Sequence, residues 1–298
     1  MEEFDVPVAG GRLRVCRWPG DGPVVLAAHG ITANALSWTR VAEELAGRVQ
    51  LVAPDLRGRA GSAGLPGPYG MAAHAADLIA VADHLGLDRV VLAGHSMGGF
   101  VVAGTAAAYP DRVSAVLLVD GGVSLPVPPG LDVDAVLHAV IGPAMQRLAM
   151  TFPSPEAYLD FFRQHPALRA EWGPAAEAYV LRDLAGDRSS CVLEAVRADG
   201  ADTLLTESTV RAVHQLECPA RLIWAERGLS DEPQGLYDED RLARAGLDRD
   251  RIAVERAPDV NHYTILLAPA GARRVADRII STAVDVAPHT IVSRPPRS

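Results

Sequence analysis

The segment Gly94-His95-Ser96-Met97-Gly98 has the spacing G-x-S-x-G. A hydroxyl is a weak nucleophile at neutral pH, so a serine that performs acyl transfer needs a base within hydrogen-bond reach and donors for the oxyanion that forms. Small residues at 94 and 98 permit a turn so tight that the residue between them takes strained backbone angles. The Ser96 hydroxyl would then stand clear of its neighbours. A glycine-rich turn with an inert serine has the same five letters, and the flanking structure separates the two.

Those flanks are a buried apolar run at 89–93 and a helical pattern at 97–109. A helix that starts at Met97 aims unpaired N–H groups, and the positive end of its dipole, at the serine. The runs Val24-Val25-Leu26-Ala27-Ala28, 49–53 and 113–119 repeat the strand pattern, with an amphipathic stretch at 72–85 among them. Alternating strands and helices predict a mostly parallel, doubly wound α/β sheet covered on both faces. After Asp120 the rhythm breaks at the proline-rich stretch 123–130, and no clear strand follows until Arg221. Strands resume at 221–225 and 251–254, and a last helix is expected at 270–284. The expected organisation is a core from 1–124 and 216–287, a helical insertion at 125–215 and a frayed tail at 288–298.

Two further motifs stand after strands: His29-Gly30-Ile31-Thr32 and Asp55-Leu56-Arg57-Gly58-Arg59-Ala60-Gly61-Ser62. With the serine turn they come in an order that resembles the α/β-hydrolase fold family, in its serine hydrolase branch with a helical cap. The first looks like that family's oxyanion turn and the second like its DxRGxGxS loop. The resemblance implies an oxyanion hole built from the backbone N–H groups of Ile31 and Met97. His29, Asp55 and Arg57 are read as braces of their turns. The general base is expected in a loop after the last strand, where Pro258-Asp259-Val260-Asn261-His262-Tyr263 offers His262. His74, His84, His138, His165 and His214 fall in helical stretches, and His289 lies in the tail.

The acid departs from the family's common pattern. Relatives usually carry it after the strand written here as 221–225, but Gly228 occupies that place. Some relatives carry it at the end of the preceding strand, and there Asp120 lies 24 residues beyond Ser96. Asp120 is the preferred acid, with Asp231 and Glu226 as alternatives. Its task would be to hold the imidazole tautomer and stabilise the imidazolium.

Composition narrows the chemistry. All 28 basic residues are arginine, so a lysine Schiff base, and pyridoxal chemistry with it, is excluded. A net charge of −9 with dispersed arginines argues against nucleic acid. Cys16, Cys191 and Cys218 form no CxxC pair and suggest neither a disulfide framework nor a zinc cluster. The apolar runs are strand-length and the first residues are acidic, so no membrane partner and a cytoplasmic location are expected. No metal or organic cofactor is expected, and oligomeric state is not readable.

The expected activity is hydrolysis of a carboxylester, lactone or thioester of a largely apolar small molecule. Phe152, Tyr158, Phe161, Phe162, Trp172 and Tyr179 in the insertion would either face that substrate or pack the insertion's own helices. Carbon-carbon hydrolysis of β-diketone-like compounds uses the same apparatus. Epoxide hydrolases and haloalkane dehalogenases are disfavoured, because those relatives use aspartate where Ser96 stands. A ligand receptor that retains the triad is the rival of a different class.

Overall fold

The computed structural model describes residues 1–124 and 133–286, so the expectations for 125–132 and for the tail lie outside the described residues. The strands are β1 Glu2–Val8, β2 Gly11–Trp18, β3 Val24–Ala28, β4 Gln50–Pro54, β5 Val90–His95, β6 Val113–Val119, β7 Leu184–Ala185, β8 Arg188–Ser189, β9 Ala220–Arg227 and β10 Ile252–Asn261. All except β7 and β8 form one eight-stranded sheet in the order β1-β2-β4-β3-β5-β6-β9-β10. β2 runs antiparallel to both β1 and β4, and every pairing from β4 to β10 is parallel.

Alternation along the central strands explains why the sheet is covered on both sides. In β5 and β6, Val90, Leu92, Val116 and Leu118 belong to one buried cluster, while Val91, Ala93, Leu117 and Val119 belong to the other. Helices Met71–His84 and Met97–Ala108 fill the first face with Leu78, Val81, Val101 and Val102. Helices Thr39–Leu45 and Pro269–Val286 fill the second with Val41, Leu45, Val275 and Ile279. A continuous apolar strand is what burial on both faces requires. The expected doubly wound sheet is the one observed.

No strand is expected from the sequence before Val24, yet β1 and β2 precede it. β1 is the edge strand and β2 its neighbour, and both are part-exposed with outward residues that are charged and paired, as in Arg14 with Asp5 at 2.6 Å. They lack the apolar run by which buried strands announce themselves.

Between β6 and β9 lie the helices Val133–Leu148, Pro155–Arg163, Pro174–Asp183, Leu193–Leu205 and Glu207–Arg211. A two-stranded hairpin, β7 with β8, interrupts them, where the sequence reading expects helices alone. Its strands are two residues long, too short to leave a period-2 signature. Phe152 meets Tyr158 edge to face with ring centres 4.7 Å apart, and Tyr158 meets Phe162 likewise at 5.2 Å. Packing of the inserted helices therefore occupies most of these aromatics, although Phe161, Phe162 and Tyr179 also line the central cavity.

Two sets of charges fasten this region to the sheet domain. Arg182 reaches Asp55 at 2.8 Å and Glu3 at 2.9 Å. Arg59 pairs with Asp199, both fully buried, and Asp199 also meets His74 at 3.0 Å.

Candidate active site

Ser96 follows β5 directly and caps the helix Met97–Ala108, with φ 56° and ψ −123°, a positive-φ conformation costly for a side-chain-bearing residue. The surrounding glycines show what holds it there. A Cβ on Gly94 would lie 2.1 Å from the Gly98 carbonyl oxygen, and one on Gly98 would lie 2.2 Å from that of Ala28. A Cβ on Gly121 would lie 2.0 Å from the Ser96 carbonyl oxygen. The bend is pressed against β3 and the end of β6, and only backbone fits between them. Ser96 N–H donates to the Val119 carbonyl at 3.0 Å, tying the turn to β6.

Asp120 follows β6 directly, at φ 45°, and is fully buried. Its N–H donates to the Ile223 carbonyl at 2.8 Å, and its Oδ1 accepts from Ala225 N–H at 3.0 Å. With the backbone and one oxygen held by β9, Oδ2 is aimed at His262 Nδ1, 2.6 Å away. A carboxylate only accepts, so Nδ1 carries a proton and, in the neutral imidazole, the lone pair lies on Nε2. His262 follows β10 in a loop fixed by Asn261, whose Oδ1 accepts from the N–H groups of Tyr263 and Thr264 and whose Nδ2 donates to the Ala167 carbonyl.

The other two acids serve elsewhere. Asp231 pairs with Arg227 at 2.9 Å and accepts from Asn261 Nδ2 at 2.9 Å. Glu226 accepts from Asp259 N–H at 2.8 Å and pairs with Arg256. Gly228 leaves its carbonyl to the His262 N–H, at 3.5 Å.

Ser96 and His262 open on one cavity, which Ile31 also lines. Among the described residues no hydrogen bond joins Ser96 Oγ to the imidazole. Met97, the first helical residue, has an N–H without a partner inside its helix. Arg59 links the two predicted oxyanion residues, donating from Nε to the Ile31 carbonyl at 2.9 Å and lying 3.9 Å from Met97 Sδ. Neither this link nor the Gly121 contact has a local mark in the sequence, because Arg59 is 28 residues from Ile31 and 38 from Met97.

His29 accepts from Leu56 N–H on Nε2 at 2.9 Å, and Nδ1 meets the Gly30 carbonyl at 2.8 Å. Burial pushes its pKa down to about 3, so it is a neutral brace of the turn. Asp55 accepts from Ala35 and Gly61 N–H, and Arg57 holds Asp77 at 2.7 Å. Ala60, where the motif has glycine, sits at φ 41°. Burial raises the thiol pKa of Cys16 to about 12 and of Cys191 to about 11, which leaves both inert. Among the described residues no group of three or more His, Cys, Asp or Glu is arranged to hold a metal, and no helix is long and apolar enough to cross a membrane.

A serine in a strained strand-to-helix turn, and an imidazole–carboxylate pair delivered by loops after two later parallel strands, define the architecture. The family model of the alpha/beta hydrolase fold matches residues 23–269. This chain belongs to the α/β-hydrolase family. Among its hydrolase relatives, Lipase LipV of Mycobacterium tuberculosis is 40% identical over 114 residues, 38% of this chain and 43% of the lipase. N-formylmaleamate deformylase of Pseudomonas putida is 34% identical over 178 residues, 56% of this chain and 63% of the deformylase. Both matches thus span less than two thirds of the relative's own length. Among solved structures, the thioesterase domain from the curacin biosynthetic pathway superposes with a TM-score of 0.71 at 20% identity, covering 95% of this chain and 99% of that domain. At that identity the likeness speaks to fold.

Proposed function

We propose that this α/β-hydrolase is a serine hydrolase that cleaves an ester-type bond of a small, largely apolar molecule through an acyl-enzyme. The observation that carries the reading is the 2.6 Å contact between His262 Nδ1 and Asp120 Oδ2, behind an imidazole that shares its cavity with Ser96. His262 Nε2 takes the proton as Ser96 Oγ attacks the acyl carbon, and Asp120 stabilises the imidazolium. The N–H groups of Ile31 and Met97 hold the oxyanion. Collapse of the tetrahedral species expels the alcohol or thiol, which leaves with the proton from His262. Water, deprotonated by the same nitrogen, then releases the acid and restores Ser96. The reading requires Ser96 Oγ and Nε2 to come into hydrogen-bond range, a contact that in ligand-free enzymes often tightens only when substrate binds. The inserted helices act as a lid over this cavity.

The test uses a fluorophosphonate probe together with p-nitrophenyl acetate and butyrate. Prompt labelling and multiple turnover, both abolished in Ser96→Ala, are expected. Labelling without multiple turnover would instead identify a receptor that kept its triad. Specificity constants for matched aryl esters, lactones and acyl thioesters then assign the bond. The relative named as a deformylase favours a second reading, cleavage of an acyl carbon-nitrogen bond by the same groups. An N-formyl amide belongs in the same panel.

A further inference from the structure

Arg147, near the end of the helix Val133–Leu148, lines the cavity that holds Ser96 and His262. The rest of the described lining is apolar, hydroxyl-bearing or histidine, and no carboxylate belongs to it. Burial lowers the pKa values of His95 and His165, two of those histidines, so neither adds positive charge at neutral pH. Arg147 is thus the single permanent charge on the described cavity wall.

Its counter-ion stands behind it. Arg147 Nη1 donates to Asp183 Oδ2 and, at 2.5 Å, to Tyr158 Oη, while the guanidinium carbon lies 5.2 Å from the centre of the Phe162 ring. Asp183 does not line the cavity. Its charge is also met by the hydroxyls of Tyr158 at 2.5 Å, Ser189 at 2.8 Å and Ser190 at 3.3 Å. The anion is shared among neutral donors and lies off the cavity wall, whereas the cation belongs to that wall.

Stability alone is a poor reason for this arrangement. A buried ion pair commonly does no better than well-packed apolar residues of the same volume, because desolvation offsets the Coulomb attraction. A guanidinium fixed by Asp183 and Tyr158 in a largely apolar wall supplies the positive charge that a carboxylate needs to enter a water-poor site.

The geometry points to Arg147 as the anchor for a carboxylate on the substrate, so that the molecule cleaved at Ser96 is an acid-bearing ester or related acyl compound. This deepens the hydrolase reading and rests on it for the bond cleaved, though not for the carboxylate bound.

The test compares ester pairs that differ only by a terminal carboxylate: the monomethyl esters of succinic, glutaric and adipic acids against methyl butanoate, pentanoate and hexanoate. In at least one pair the wild-type enzyme should prefer the acid by kcat/KM. Arg147→Met should lower that acid-to-neutral ratio by on the order of 30-fold, the value of one charge-assisted anchor. In parallel, calorimetry of succinate, glutarate and adipate with Ser96→Ala should show binding that Ser96→Ala/Arg147→Met loses. Preference for the neutral ester in every pair, or equal loss on both members in Arg147→Met, would make Arg147 a structural clamp and overturn the proposal. If Arg147→Met does not fold, the wild-type preference and the dicarboxylate titration decide on their own. A protein that ignores the fluorophosphonate probe and every ester, yet binds a dicarboxylate through Arg147, would refute the hydrolase reading alone. Failure to bind any of the three would refute the anchor.

Discussion

His95 Nε2 donates to the backbone carbonyl of His262 at 2.8 Å, and the two rings lie 4.6 Å apart. The residue before the serine thus holds the loop that delivers the histidine, across 167 positions of sequence. Donation to a carbonyl fixes the proton on Nε2, and burial keeps the ring neutral by pushing its pKa well below the usual range.

Loss of this strut should separate stability from chemistry. His95→Leu removes one buried hydrogen bond and is expected to cost about 1–3 kcal/mol in urea unfolding. His95→Gln, which keeps a donor, should recover part of it. Because the strut orients His262, kcat should fall further in His95→Leu than in His95→Gln while KM moves little.

The acid can be assigned by a pair of conservative changes. Asp120→Asn keeps the volume but exchanges an acceptor for a donor at His262 Nδ1, favouring the wrong tautomer, and turnover should drop on the order of 10⁴-fold. Asp231→Asn disturbs only the contacts to Arg227 and Asn261, so its effect should be far smaller. Rates measured for the two variants in the opposite order would move the acid to the 226–231 loop.

Stability should rise with pH between about 3 and the ordinary histidine range. His29, folded, titrates near pH 3, and His95 is also depressed, whereas in the unfolded chain both titrate near their ordinary value of about 6.5. Within that window the unfolded state binds more protons, so stability is lost as pH falls, by about 1.4 kcal/mol per pH unit for each such group. Above the window neither contributes a slope. Urea titrations at intervals from pH 4 to 7 should show this, and His29→Asn should flatten the profile; an unchanged slope would mean that His29 is protonated in the fold.

Gly121 is expected to tolerate no side chain. Gly121→Ala places a methyl 2.0 Å from the Ser96 carbonyl oxygen, against backbone that has nowhere to go. A loss of about 3 kcal/mol or more, with activity lost as the serine turn shifts, is the expected outcome by thermal unfolding and probe labelling. Gly86→Ala, where nothing lies within 4 Å but φ is +68°, provides a control for backbone strain alone.

What could be read from the sequence divides along a physical line. The central strands and the helix after Ser96 were legible because burial on both faces forces unbroken apolar runs, and the G-x-S-x-G spacing is local. The strand 113–119 falls as expected, while the one expected at 89–93 begins a residue later and ends two later, as Val90–His95. The hidden features are those set by partners far along the chain. Gly121 is required by the space beside Ser96, Arg59 by an aspartate in the insertion, and Arg147 by a cavity that exists only when the helices are assembled. β1 and β2 carry no such signal, because part-exposed strands at and next to the sheet edge, with paired charges on the outer face, lack the run that marks a central one.

The fastening of residues 174–205 by Arg182 and Arg59 means that this region is no detachable ornament. Deleting it would strand the Asp55 carboxylate and the Arg59 guanidinium in the interior, each bereft of its opposite. A shortened protein would have to flood those positions with solvent or collapse around them, so any transplant of foreign helices onto this scaffold must bring along an acid for Arg59 and a base for Asp55.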